Sequence, residues 1–133
     1  MVEPVTPCEV LSRFIMQTNW YRLSDNCVKY AAFMPNPKNG ETSVFRISGI
    51  SERDIWKIGD REVGVLRNKP VLGRADIVPS FVFTKSLKVV PSEPPVRHAN
   101  IVGWPEEKSE QTLIALQLAA EAIFHKKQVS DRT

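Results

Sequence analysis

The sequence predicts an α+β domain in which a mostly antiparallel sheet of about five or six short strands packs against an N-terminal and a C-terminal helix. Three observations lead there. Short β-branched and aromatic runs alternate with turn residues through the middle of the chain. A capped helical pattern opens at Thr6, and a longer one leaves from Pro105.

Taken in order, Thr6-Pro7-Cys8-Glu9 places a threonine before proline and an acid three positions on, the capping-box arrangement. Val10, Leu11, Phe14 and Ile15 then share a helical face with Arg13 and Gln17 off it, which predicts a helix over Pro7–Gln17. Trp20–Leu23 and Cys27–Met34 read as strands of a hairpin around Ser24-Asp25-Asn26, whose short polar side chains suit turns. Pro35–Gly40 is a loop, and Thr42–Ile47 a strand with Val44 and Arg46 on one face and Phe45 and Ile47 on the other.

Ser51 looks like an N-cap, with Ile55, Trp56 and Ile58 on the buried side of a two-turn helix that Gly59 ends. Glu62–Leu66, Arg74–Val78, Phe81–Phe83 and Leu87–Val90 have the composition of short strands, with Pro79 as a break. Pro91–Pro95 is a stiff, extended connector. The last helix begins at Pro105 with Glu106 and Glu107 in its first turn and His125, Lys126 and Lys127 in its last. Leu113, Leu116, Ala120 and Ile123 form its stripe.

At 133 residues and 15.1 kDa the chain fits one domain, residues 1–127, with a frayed tail over 128–133. Apolar content of 42% and charged content of 25% are those of ordinary globular proteins, and no apolar run approaches the roughly 20 residues that span a bilayer. The N-terminus lacks a secretory pattern, so a cytoplasmic protein is expected and Cys8 and Cys27 are read as reduced thiols. Two cysteines and two histidines without recognisable spacing exclude a closed zinc site. Glycine-rich phosphate loops, dinucleotide fingerprints, nucleophile elbows and aromatic RNA-binding signatures are absent, so no cofactor is expected.

The net charge is +3, and residues 41–90 hold nine Lys/Arg against six Asp/Glu. An anionic partner would therefore meet mainly the middle of the chain. The best site signal is Val96-Arg97-His98-Ala99-Asn100-Ile101-Val102, an apolar strand carrying His98 and Asn100 on one face and Arg97 on the other. Such polar residues must be bonded internally, reach water or meet a ligand. His98 can serve as an acid/base group or bond neighbouring backbone, while His125 reads as the solvated end of the last helix.

Arg46 and Arg74 lie in strands and either grip an anion or pair internally, Arg74 with Asp76 two residues on. Trp20, beside Tyr21 and Arg22, has the composition of a stacking platform. The reading that follows is a small binding module for an anionic ligand or nucleic acid, using Arg46, Arg74, Arg97, His98, Asn100 and Trp20, in isolation or as a subunit of an assembly. Two others stand beside it: an enzyme using His98 on a phosphate-bearing substrate, and a module that binds protein partners or copies of itself. No membrane partner is expected.

Overall fold

The structure, a computed structural model, describes residues 2–127; the tail expected to fray lies outside them. Six strands make one antiparallel sheet: β1 (Leu11–Ile15), β4 (Thr42–Arg46), β5 (Gly73–Ile77), β6 (Lys88–Pro91), β7 (His98–Val102) and β8 (Ile123–Lys126), in the order β6-β7-β4-β1-β5-β8. A separate hairpin joins β2 (Tyr21–Arg22) to β3 (Cys27–Val28). The helices are α1 (Glu52–Gly59), α2 (Val65–Arg67), α3 (Pro79–Phe83) and α4 (Lys108–Glu121). The α+β class stands.

Both sheet faces are covered. On one, Leu11, Ile15, Val44, Ala75, Ala99 and Ile101 pack with Phe33, Val82 of α3 and Ala115, Leu118 and Ala119 of α4. On the other, Phe14 and Phe45 pack with Ile55 and Ile58 of α1 and with Val71.

This double cover explains the first correction. Pro7–Gln17 is not a helix: a turn at Pro7–Cys8 leads into β1. The Thr6 amide does donate to Glu9 Oε2 (2.6 Å), so the cap contact forms, but no helix follows it. A strand buried on both sides carries apolar residues at both parities, and Leu11, Phe14 and Ile15 thereby imitate helical spacing.

Other boundaries shift for identifiable reasons. The hairpin turns through Asn26 in a left-handed conformation (φ 54°), but the strand expected over Cys27–Met34 stops at Val28, and Tyr30–Ala32 is a 3-10 turn. Phe81–Phe83 is helical, because Pro79 sits at the first turn of α3, a position that suits proline. The last helix ends at Glu121. Residues Ile123–Lys126 leave it to form the edge strand β8, placing Phe124 against Tyr21 (ring centroids 4.9 Å) and leaving Leu113 and Leu116 exposed. The basic C-terminal turn expected for that helix is therefore absent.

Ser51 caps α1, its side chain accepting from the Asp54 amide (3.2 Å). α1 ends at Gly59 as expected, but without the left-handed turn of a glycine cap. The chain continues through a π-helical turn, Asp60–Gly64, in which the Val65 amide reaches back to the Asp60 carbonyl, and into α2, which ends at left-handed Asn68 (φ 55°). Glu62–Leu66 is accordingly helical rather than a strand. Glycine at 59 serves close approach: a Cβ there would lie 2.6 Å from the Phe14 ring.

Phe14 is itself packed between Phe45 and Trp56, so the ring has little room to yield. Ordinarily Gly→Ala inside a helix stabilises by about 0.5–1 kcal/mol. Gly59→Ala should instead destabilise by about 1–3 kcal/mol through overpacking, read by chemical denaturation; an unchanged or raised midpoint would show that the helix does not press on Phe14.

Candidate functional site

The β1–β4 ladder comprises two pairs, Leu11↔Arg46 and Ser12↔Phe45, although β1 pairs with β5 along all five residues. Beyond it, the Arg13 guanidinium bridges the two strands. Its Nε donates to the Ala32 carbonyl (2.7 Å) and its Nη1 to the Ser43 carbonyl (3.0 Å), so a side chain occupies the acceptor of Ser43. The Trp20 ring lies 5.0 Å from the guanidinium carbon.

Against this opening, the helical segment sets a cavity of about 230 Å³. Phe14, Phe45, Val63, Leu66 and Pro95 form its apolar walls, and Arg13, Ser43, Glu62, Arg67 and His98 supply its polar groups. Glu62 comes from the π-helical turn and Arg67 from the end of α2. The Glu62 carboxylate is taken by Arg61 (2.8 Å). Among the described residues, no carboxylate lies within ion-pair distance of Arg13 or Arg67. Burial, with the charge of Arg67 adding to it, pushes the Arg13 guanidinium down to about 10, which leaves it protonated at neutral pH.

His98 projects from β7 beside Phe45, its diagonal neighbour Ser43 lying on the same face of the paired strand. The Ser92 carbonyl lies 2.9 Å from Nδ1, and Ser43 Oγ lies 2.7 Å from Nε2. A carbonyl can only accept, so Nδ1 carries the ring proton in the neutral imidazole and Nε2 accepts from the serine hydroxyl. Asn100 shares the His98 face and sits opposite Ser43 in the register.

The other expected residues go elsewhere. Arg46 binds Glu9 through two bonds (2.8 and 3.0 Å) and the carbonyls of Glu3 and Pro4, tying the N-terminal segment to the sheet. Arg97, at φ 73°, lines a second cavity of about 450 Å³ with Arg46, Glu3, Glu9 and Glu93; the acids act on Arg46, and Arg97 Nη1 donates to the Arg46 carbonyl (3.4 Å). Arg74 is buried, forked onto Glu52 (2.9 and 3.1 Å), bonded to Asp76 (3.2 Å) and stacked on Trp56 (4.8 Å). Trp20 faces Arg13.

His125 is not at a helix end; it lies in β8 with Nε2 3.4 Å from Asp76. Arg46, Arg74 and His98 thus do not share one pocket. Arg13, Ser43 and Arg67 were not singled out from sequence, and nothing local marks them, since all three act through contacts distant along the chain.

Among the described residues, no group of three or more His, Cys, Asp or Glu is placed to hold a metal ion, and no helix is long and apolar enough to cross a membrane. Comparison with protein-family models, with curated proteins and with solved structures gave no match.

These placements separate structural from available arginines. Arg74→Met should destabilise by about 3–5 kcal/mol, because the largely enclosed Asp76 loses its arginine partner, whereas exposed Arg67→Ala should stay within about 0.5 kcal/mol. Equal effects in urea denaturation would erase the distinction.

Acid should act at Glu9. Burial alone raises its carboxyl, but the bonds from Arg46 and the Thr6 amide outweigh burial and leave it lowered. A lowered carboxylate contributes stability that is complete above its unfolded value, about 4.3, and lost as pH falls through the folded value. The loss of stability below about pH 4 should be shallower in Glu9→Gln than in the unaltered protein; parallel curves of denaturation midpoint against pH would remove Glu9 from the acid response.

Proposed function

We propose that the protein binds a small organic anion, a carboxylate or phosphate ester with an apolar body, in the cavity between the sheet and the α1–α2 segment. One observation carries this reading: two guanidinium groups, Arg13 and Arg67, face a single apolar-walled space, and neither meets a carboxylate among the described residues. Glu62, the acid that lines the same space, is paired with Arg61, so the two like charges repel and an anion seated between them relieves the repulsion. Pockets of this kind take their orientation from a few polar groups and their affinity from apolar walls.

A space of about 230 Å³ suits a small molecule better than a polymer. Trp20, the expected base-stacking residue, has Arg13 against its ring, and the strand arginines 46 and 74 hold carboxylates. These contacts favour the small-ligand form of the binding reading over nucleic acid. A cytosolic setting agrees with the two free thiols, Cys8 and Cys27.

Phenyl phosphate and benzoate are suitable probes, each joining one anionic group to an apolar ring. Titration calorimetry should detect binding that weakens about tenfold or more in Arg67→Ala, the loss of a charge-assisted hydrogen bond. Single-stranded RNA should not displace either probe. Absence of heat at millimolar probe, or affinity indifferent to Arg67, would overturn the proposal.

A further inference from the structure

We infer that Ser43 and His98 form a nucleophile–base pair and that the cavity hydrolyses small esters bearing an anionic group. The choice of substrate rests on the anion-binding reading above; the chemistry rests on the pair itself. Ser43 Oγ lies 2.7 Å from His98 Nε2, the distance at which a hydroxyl proton passes to an imidazole. The Ser92 carbonyl holds Nδ1 at 2.9 Å, fixing the tautomer that leaves Nε2 free to accept. Nucleophile, base and orienting group are thus arranged in series, with a backbone carbonyl in the third place.

Position adds to geometry. Both side chains line the apolar-walled cavity and are half-buried, so a substrate reaches them while bulk water is partly excluded. Phe45 meets the His98 ring edge-on (5.2 Å) and restricts its rotation. Arg13 Nη1 binds the carbonyl of Ser43 itself, which sets a fixed positive charge next to the nucleophile. Arg67 is the available cation for the anionic end of the substrate.

The step balances without a cofactor. Ser43 Oγ attacks the ester carbonyl carbon as its proton moves to Nε2, giving a tetrahedral oxyanion near the guanidinium charge. Collapse breaks the bond to the leaving oxygen, which takes the proton from Nε2 and departs as an alcohol. Water then attacks the acyl-serine, giving its proton to Nε2. The second collapse releases the carboxylic acid and returns the proton to Oγ.

The test is active-site labelling of the intact protein. An alkyl fluorophosphonate should form a P–O bond to Ser43 with loss of fluoride, located by peptide mass spectrometry, and 4-nitrophenyl acetate should release 4-nitrophenol. His98→Gln should slow labelling at least about 100-fold, the scale of general base catalysis. Phenyl phosphate should protect Ser43. Absence of adduct, an adduct at another serine, or labelling indifferent to His98→Gln would overturn the inference. Because labelling is measured on the unaltered chain, it does not depend on Ser43→Ala folding. Phenyl phosphate binding without Ser43 labelling would leave the binding reading intact and remove the catalytic one; labelling without phenyl phosphate binding would do the reverse.

Discussion

A cation withdrawn into the sheet with only neutral groups to hold it is the constraint on which this molecule turns. Removing an ion from water costs several kcal/mol even after the surroundings relax, and a carboxylate is the usual remedy. Arg13 has two backbone carbonyls and the face of Trp20 instead. Those contacts engage its Nε and Nη1 donors without cancelling its charge. By occupying the Ser43 carbonyl, the guanidinium stands where a ladder partner from β1 would stand. The short β1–β4 ladder and the retained charge thus meet at one side chain, and the cavity opens beside it.

The other strand arginines show the contrasting arrangement. Arg74 is nearly inaccessible, yet Glu52 and Asp76 answer its charge and Trp56 covers its plane. Burial drives the Asp76 carboxyl upward against the pull of Arg74, so cation and acid each depend on the other. Arg46 binds the N-terminal segment through Glu9 and two carbonyls. In both cases a planar fork matches a carboxylate, and the result is a fixed cross-link between segments far apart in the chain. A ligand competing for either would have to displace an acid already in place.

How much of this was legible in the residues depends on the range of the interactions involved. Thr42–Ile47 and the strand after Arg97 were readable because alternation and β-branching act locally, and Ser51 was readable because its cap contact spans three residues. Leu11–Ile15 misled because cover on both faces erases the two-residue period. Gly59 marked the end of α1 correctly, but the need for glycine there, set by Phe14 forty-five positions away, was not visible. His98 stood out as a polar residue in an apolar strand, and its bond to Ser92 belongs to the same local neighbourhood. Ser43 and Arg67 are unremarkable letters until the fold sets them at the same opening.

Charge counted along a chain overstates what an anion can find. Nine basic residues against six acidic over positions 41–90 suggest a basic stretch, yet several of those charges are consumed internally: Arg74 by Glu52 and Asp76, Arg61 by Glu62, and Arg46 by a glutamate outside the stretch. A stripe of solvated cations, which polyanion binding requires, does not follow from the excess. Other cations of the stretch, such as Arg53, Lys57 and Lys69, stay on the surface, whereas Arg67 joins Arg13 at an apolar-walled cavity. Affinity in such a place comes from enclosure and fit rather than from charge number, and this is why a small anion with an apolar body, rather than a nucleic-acid strand, is the partner we propose.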